Sequence, residues 1–410
     1  MRSGPPRAHG GAGARRRRIA AVALAVPVLG SVALALGSNS RPVPSGGIYA
    51  EPAPGPAAGS VRFVRVTDPD FGPYLRGRRF AGWMRRHFWR VITYSPYFDS
   101  RLRWYRNAWV YRDLYAIYRG SVQAERHPDW ILRDAQGSPL YIPFDCTGGT
   151  CPQYAGDIGN PSFRSDWIRR ARAKLAHGYR GIFLDDVNMT LRVSDGNENE
   201  VAPIDPRTGS PMPLADWRRY IAQFTTEIRR AFPRAELVHN VIWFAGDDDA
   251  AIRQELAATD VVYIERGVED PGVEGGGGTY GFETLLAYID RRHREGKAVV
   301  FGGGREYGLA TYMLINSGRD GFSSRFRSRP GNWWNGWKIK LGAPRSSRYQ
   351  WRGLVRRDFH RGLVLVNPPG GAQHTVRLGR PWIDVSGRPR RSILLPAASG
   401  VILRKPKSSR

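Results

Sequence analysis

Lysine is nearly missing from this chain: only six of its 63 basic residues are lysines, at 174, 297, 338, 340, 405 and 407. The net charge is nevertheless +27 over 410 residues, a balance that invites a nucleic-acid reading. The arginines argue against it, because they are spread along the chain and form no basic stripe. A basic exterior of that kind favours a different anionic polymer, such as an acidic cell-wall glycan, and no nucleic acid. Cysteine is scarce too, with only Cys146 and Cys151. Two thiolates cannot complete a tetrahedral zinc site, and four intervening residues are wrong for a CxxC redox pair. A small disulfide-closed loop remains, which requires an oxidising compartment. The motifs HExxH and GxSxG and the phosphate-binding glycine loop are absent, so the residues call for no metal and no cofactor. Long apolar runs are absent as well, with one exception at residues 19–36.

That exception follows four consecutive arginines at 15–18. A positive stretch followed by an apolar one marks residues 1–36 as a secretory signal peptide or an N-terminal membrane anchor. About 18 residues can just span a bilayer, and Ala33-Leu34-Ala35 offers a small-residue cleavage site, so both fates stay open. The protein is expected outside the cytoplasm, secreted or anchored, and to meet a membrane through this segment only. Residues 37–60 are mostly Ser, Pro, Gly and Ala with little to pack, and read as a disordered tether.

From residue 61 to 340, short apolar runs alternate with helical patterns. Strands are expected at 91–94, 108–111, 154–158, 181–185, 236–242, 260–265, 298–301 and 321–324. Helices are expected at 161–177, 214–232, 282–296 and 307–316, where apolar residues recur at helical spacing. Eight strands interleaved with helices over about 250 residues match a (β/α)8 TIM barrel in the α/β class. A doubly wound sheet is the rival, but no glycine fingerprint opens its first strand–helix turn. Long connections at 119–153 and 188–213 both follow strands and would build a cleft on one face. Residues 341–410 change to short strands divided by Gly/Pro turns, the pattern of a small antiparallel β-sandwich.

The stretch that organises the chain is 178–189, where the apolar run Ile182-Phe183-Leu184 stops at Asp185, Asp186 and Asn188. A buried parallel strand delivering carboxylates from its C-terminal end puts them where barrels keep their chemistry. The other strand ends supply Tyr94, Arg112 and Asp113, Asp157 and Asn160, His239, Asn240 and Trp243, and Glu265 with Arg266. Acids and amides hold sugar hydroxyls, and aromatic faces stack on pyranose rings; the chain is well supplied, with 13 Trp, 18 Tyr and 16 Phe. Glycoside hydrolysis needs two carboxyl groups across the scissile bond. The pair selected is Asp185 and Glu265, each ending an apolar strand. Asp186 is a helper or a cap, since alternating side chains allow only one of the two aspartates an ideal aim into the cleft. The substrate-binding set is Tyr94, Arg112, Asp157, Asn160, Asn240 and Trp243. His239 reads as a packed residue, Asp247 to Asp249 as helix-start acids, and Trp333, Trp334 and Trp337 as a seam between barrel and β domain. Two other classes stay in view. One is a non-catalytic surface lectin; the other is a metal-dependent phosphodiesterase built on Asp185, Asp186 and His239.

Several segments resemble a known family. Residues 181–188 (GIFLDDVN), 107–113 (NAWVYRD), 154–160 (YAGDIGN), 239–243 (HNVIW) and 263–267 (YIERG) are similar to the hypothetical glycosyl hydrolase family 15, over most of residues 85–370. More distantly the chain is similar to the endo-α-1,4-polygalactosaminidase barrels and the α-galactosidase-like superfamily. The resemblance implies a TIM barrel with a strand-four nucleophile, falling on Asp185, and a strand-six acid/base, falling on Glu265. It supplies a reaction class and no substrate; the expectation is a glycoside hydrolase acting on a poly- or oligosaccharide, α-linked. The α-galactosidase-like relatives usually carry Asp on strand six, where this chain has Glu.

Overall fold

A computed structural model describes residues 51–66, 78–197, 199–324 and 328–406. The expected signal or anchor at 1–36, and the tether as far as residue 50, lie outside them. Among the described residues no helix is long and apolar enough to cross a membrane.

Eight parallel strands close into a barrel: β1 (Phe63–Val66), β2 (Arg90–Thr93), β3 (Ala108–Asp113), β4 (Gly181–Val187), β5 (Glu236–Val241), β6 (Val261–Ile264), β7 (Ala298–Gly303) and β8 (Gly321–Ser324). Pairing of Phe63 with Phe322 joins the last strand to the first. Besides a short helix at Val122–Arg126, six longer helices among the described residues run between them: α1 (Arg78–His87), α2 (Pro161–Leu175), α3 (Leu214–Ala231), α4 (Ala250–Ala258), α5 (Phe282–Arg294) and α6 (Glu306–Ile315). The β2–β3 connection carries only a 3-10 turn at Asp99–Arg101. The TIM barrel is therefore as expected, but one of its strands is not. Residues 154–158 do not enter the barrel; Gln153–Ala155 instead pairs with Ala116–Tyr118 inside the connection after β3. Their apolar character serves that local packing, with Ala155 and Ile158 fully buried. The strand in their place is β1, whose apolar run is broken by Arg65, buried all the same. The two differences cancel, so residues 181–187 are still the fourth barrel strand.

The barrel is filled by Val64, Ile92, Trp109, Phe183, Val238, Val261, Tyr263 and Val300. These are the inward positions of successive strands, as expected of a packed barrel. At the N-terminal mouth Glu236, first residue of β5, is clamped from three sides. It accepts hydrogen bonds from Arg90 (3.0 and 2.8 Å), Arg180 (2.8 Å) and the Trp109 indole (2.8 Å). On the outside of this end Phe63 packs against Trp333 and Trp337, with ring centroids 5.1 and 4.9 Å away. Trp333 also meets Trp83 of α1. Trp333 and Trp337 thus pack on the barrel wall, and the segment 335–340 lines a cleft with Val385 and Arg404 of the C-terminal module.

The C-terminal module is one antiparallel sheet built from β9 (Tyr349–Trp351), β10 (Leu354–Phe359), β11 (Gly362–Asn367), β12 (His374–Ile383), β13 (Pro389–Leu395) and β14 (Ser399–Arg404). The β12–β13 hairpin joins the rest only through the pairing of Ile383 with Arg404. It packs Val376, Trp382 and Leu395 with Leu354, Leu363, Leu365, Val401 and Leu403. The sandwich is therefore formed by one sheet folded over on itself. Alternate residues Val364, Val366 and Ile402 face the other way and join the main core. There α6 is buried on nearly all sides, the condition that its apolar sequence requires. Arg357 of β10 donates to the carbonyls of Met313, Leu314 and Asn316 at the end of α6, satisfying acceptors that a helix terminus leaves open.

The expected tether is also shorter than 37–60. Residues 51–60 pack on the folded body: Pro56–Gly59 is a 3-10 turn with Ala58 buried. The Glu51 carboxylate is buried against Arg348, 2.7 Å from its backbone nitrogen and 2.8 Å from its guanidinium. Asp290 of α5 completes that ion cluster. A buried arginine needs such partners, and this one recruits a segment whose composition suggests nothing of the kind.

Candidate active site

Strand alternation builds the site. Two residues beyond the inward-facing Phe183, Val238 and Tyr263 stand Asp185, Asn240 and Glu265, on the same face of their strands at the C-terminal mouth. The same step from Ile92 and Trp109 reaches Tyr94 and Tyr111. Asp185 is held from both sides. Its Oδ2 accepts from the Tyr111 hydroxyl at 2.6 Å and its Oδ1 from the Asn240 amide at 2.7 Å. The same Asn240 nitrogen lies 3.4 Å from Oε2 of the exposed Glu265. One amide therefore stands between the two carboxylates. Burial, then the charge of Asp185, pushes the Tyr111 hydroxyl far above its ordinary range, so it stays a donor. The Tyr94 ring, 40% exposed, leans on Tyr111 at 4.9 Å. Among the described residues no arginine, lysine or histidine forms an ion pair with Asp185 or Glu265.

Close approach of β7 to β6 is what brings Glu265 to the rim. A Cβ at Gly302 would sit 1.6 Å from the Glu265 carbonyl oxygen, so only glycine fits there.

Asp186 leaves the rim. The β4–β5 register shifts between Leu184 and Val187, and Asp186 adopts φ 55°, left-handed for a residue with a side chain. Its carboxylate accepts from the Asn188 amide at 3.0 Å and lies close enough to Asp113 for their charges to interact. Asp113, at the end of β3, is buried, and its Oδ1 accepts from the backbone of Tyr115 and Ala116. Burial, followed by the charges of Asp186 and Asp185, pushes Asp113 well above the usual carboxylate range. Two neighbouring buried carboxyl groups resist being ionised together, and Asp113, the more deeply buried, is pushed toward its neutral form. Asp186 is thus a helper at most, below the reacting surface.

Four of the expected sugar-binding residues serve the scaffold. Arg112 points outward, away from its neighbour Tyr111, and lies 4.9 Å over the Trp167 ring of α2. Asp157 is 2% exposed and is bound by both 2.9 Å contacts from Arg207. It ties the connection after β3 to that after β4, as do the bridges of Arg133 with Ile204 and Tyr141 with Ser194. Asn160 caps α2, accepting from Ser162 and Phe163. Trp243 is 6% exposed and offers no face for stacking. His239 is fully buried with Nδ1 on Glu255, on the opposite face of β5 from Asn240. It cannot converge with Asp185 and Asp186, so the phosphodiesterase set is dispersed. Asp249 caps α4, whereas Asp247 pairs with Arg291 and Arg292. Cys146 and Cys151 form the expected disulfide in the connection after β3.

The residue that the sequence reading missed is Tyr111. Its signal was available: it occupies the same strand face as Trp109, one step short of Asp113.

The profile of the family described as hypothetical glycosyl hydrolase family 15 matches residues 88–363. The chain belongs to that family. It is a glycoside hydrolase by class, and the match spans β2 to β8 with every rim residue described above. Among solved structures, the glycoside hydrolase domain of PelA from Pseudomonas aeruginosa is 15% identical, with a TM-score of 0.40 over 66% of this chain and 96% of that one. An alpha-amylase from Lactobacillus plantarum is 10% identical, with a TM-score of 0.45 over 85% and 99%. A comparison with curated proteins found no match.

Proposed function

We propose that the protein is an exported glycosidase that cleaves an α-linked poly- or oligosaccharide, with Asp185 as nucleophile and Glu265 as acid/base. The observation that carries this reading is the single Asn240 amide between the two carboxylates. Its two contacts keep those oxygens no more than about 6 Å apart, a limit that accommodates the about 5–5.5 Å of retaining enzymes and falls short of the about 6.5–9.5 Å of inverting ones. In the first step Asp185 attacks the anomeric carbon while Glu265 gives its proton to the departing oxygen. In the second, Glu265 takes a proton from water, the water oxygen bonds to the anomeric carbon, and Asp185 leaves. Tyr111 and Asn240 hold the two oxygens of Asp185 so that the attacking lone pair keeps its aim. Tyr94 supplies a sugar-facing ring. Tyr118 and Phe144, 52% and 63% exposed in the connection after β3, are further aromatic faces open to solvent.

The α configuration is part of the proposal and is what the substrate panel decides. Export is supported by residues 15–36 and by the disulfide, whose formation needs an oxidising compartment.

A panel of aryl α- and β-glycosides and oligosaccharides tests the reading. Hydrolysis of an α-linked member, lost about 10³-fold or more in both Asp185→Asn and Glu265→Gln, is the expected result. Full activity in Asp185→Asn would sink it.

A further inference from the structure

We propose a second binding site in the C-terminal module, a cationic cleft that holds an acidic polysaccharide through its carboxylates, outside the barrel. Along β10, even-numbered residues face the interior of the folded-over sheet. Leu354 packs in its apolar core, while Arg356 and Asp358 follow on the same face. The β12 strand opposite changes in step, from Val376 in the core to Arg380, which lies over the ring of Trp382 at the edge of that core. Where the apolar filling ends, the two layers stay apart and enclose a cleft of about 430 Å³. Four cations line it, Arg345, Arg356, Arg380 and Lys405, against one acid, Asp358.

The one acid is already engaged. Arg356 binds Asp358 through Nε and Nη2, the latter at 2.7 Å, and the Tyr349 hydroxyl donates to the same carboxylate. Lys405 has its ammonium on the His360 carbonyl at 2.7 Å. Arg345 and Arg380 are exposed, and among the described residues neither guanidinium has a carboxylate partner. Arg380 lies 4.9 Å over the Trp382 ring, and Trp382 is itself only 8% exposed. The aromatic face that a neutral sugar would stack on is therefore covered by a cation. Stacking fixes the guanidinium plane and leaves its N–H edge free, the arrangement suited to a carboxylate. The cleft recognises negative charge, not an apolar sugar face.

A cleft of about 430 Å³ admits a side group of a chain instead of a duplex, which favours an acidic sugar polymer over nucleic acid. The choice of a polysaccharide rests on the glycosidase reading, whereas the anion recognition does not. A second patch at the base of the barrel carries the same sign without an acid: Lys338, Lys340 and Arg404 line a cleft of about 480 Å³. The terminal residues of β14 thus sit beside two cationic clefts, Arg404 in one and Lys405 just beyond the strand in the other.

The test is binding of trigalacturonate to the full chain carrying Asp185→Asn, by calorimetry in low salt. Turnover then plays no part in the readout. The double variant Arg345→Gln/Arg380→Gln is expected to lose about tenfold or more in affinity. The control Arg103→Gln/Arg106→Gln, equal in charge and placed on exposed residues of the β2–β3 connection, is expected to lose none. Equal losses in both pairs, or no loss in either, would overturn the proposal. So would equal binding of the fully methyl-esterified trimer, or tighter binding of a single-stranded DNA oligonucleotide with the same arginine dependence. Arg345→Gln alone, a change in an exposed loop, keeps the test available if the double variant does not fold. Hydrolysis of a small aryl glycoside by the otherwise unaltered enzyme should be unchanged in Arg345→Gln/Arg380→Gln. Loss of that activity in every form would count against the barrel reading alone.

Discussion

The two mouths of the barrel each hold carboxylates at strand ends, and they treat them in opposite ways. Glu236 at the N-terminal mouth receives two arginines and an indole. Burial alone would raise it, but those hydrogen bonds outweigh burial and hold it below its usual value. Asp185 at the C-terminal mouth receives a tyrosine hydroxyl and an asparagine amide, both neutral. Both acids are fixed in place, but only one is neutralised. A carboxylate clamped by guanidiniums has its lone pairs used and its charge cancelled. One steadied by neutral donors keeps the charge that an attack on a sugar needs. Asn240 and Glu236 sit at opposite ends of β5, so one strand serves stability at its base and positioning at its rim.

Replacing the neutral donors should do the most damage to function. Asn240→Ala and Tyr111→Phe are each expected to lower kcat roughly a hundredfold, with melting temperatures near that of the native protein. Steady-state kinetics beside thermal melts would check this, and an unchanged kcat in Asn240→Ala would erase the distinction drawn between the mouths.

The reverse pattern is expected at the base. Glu236→Gln should lower stability by about 2 kcal/mol, because it leaves Arg90 and Arg180 facing each other without their acid. Its kcat should stay within about twofold of the native value where the protein remains folded. Urea unfolding followed by assays below the transition measures both. A loss of kcat without loss of stability would join the two mouths functionally and break the comparison.

The smallest effect is a pH dependence beneath the rim. Asp113 takes up its proton more readily folded than unfolded, since burial raises it. Its contribution to stability is therefore full at acid pH, below the usual carboxylate range, and is lost as pH rises toward its raised folded value. Asp113→Asn keeps a donor toward Asp186 and does not titrate. The stability of this variant relative to the native protein should grow as pH rises from about 4. A difference that stays flat with pH would mean that Asp113 is charged in the folded protein.

The barrel was legible because its signal is repeated eight times, and repetition tolerates an error. Residues 154–158 look like a strand because they are apolar, yet they pack within an insertion; β1 hides because Arg65 interrupts it. Asp185, Asn240 and Glu265 could be read because each ends a strand whose inward face is apolar. Arg112, Asp157 and Asn160 could not be sorted from them by strand-end position alone. Arg112 differs from Tyr111 by one step of alternation, and that step decides which face it takes. Asp157 depends on Arg207, fifty residues away, and Asn160 on a helix start that claims its side chain. Glu51 shows the limit most clearly. Nothing in a Pro/Gly/Ala stretch announces a buried ion pair with Arg348.

The account turns on Asp185 being the group that bonds to the sugar. The most direct measurement is peptide mapping by mass spectrometry after inactivation with 2-deoxy-2-fluoro glycosyl fluorides, which slow release of the glycosyl-enzyme. A glycosyl adduct is expected within Gly181–Val187, carried by Asp185 and absent from Asp185→Asn. An adduct on Glu265 or Asp186 would contradict it.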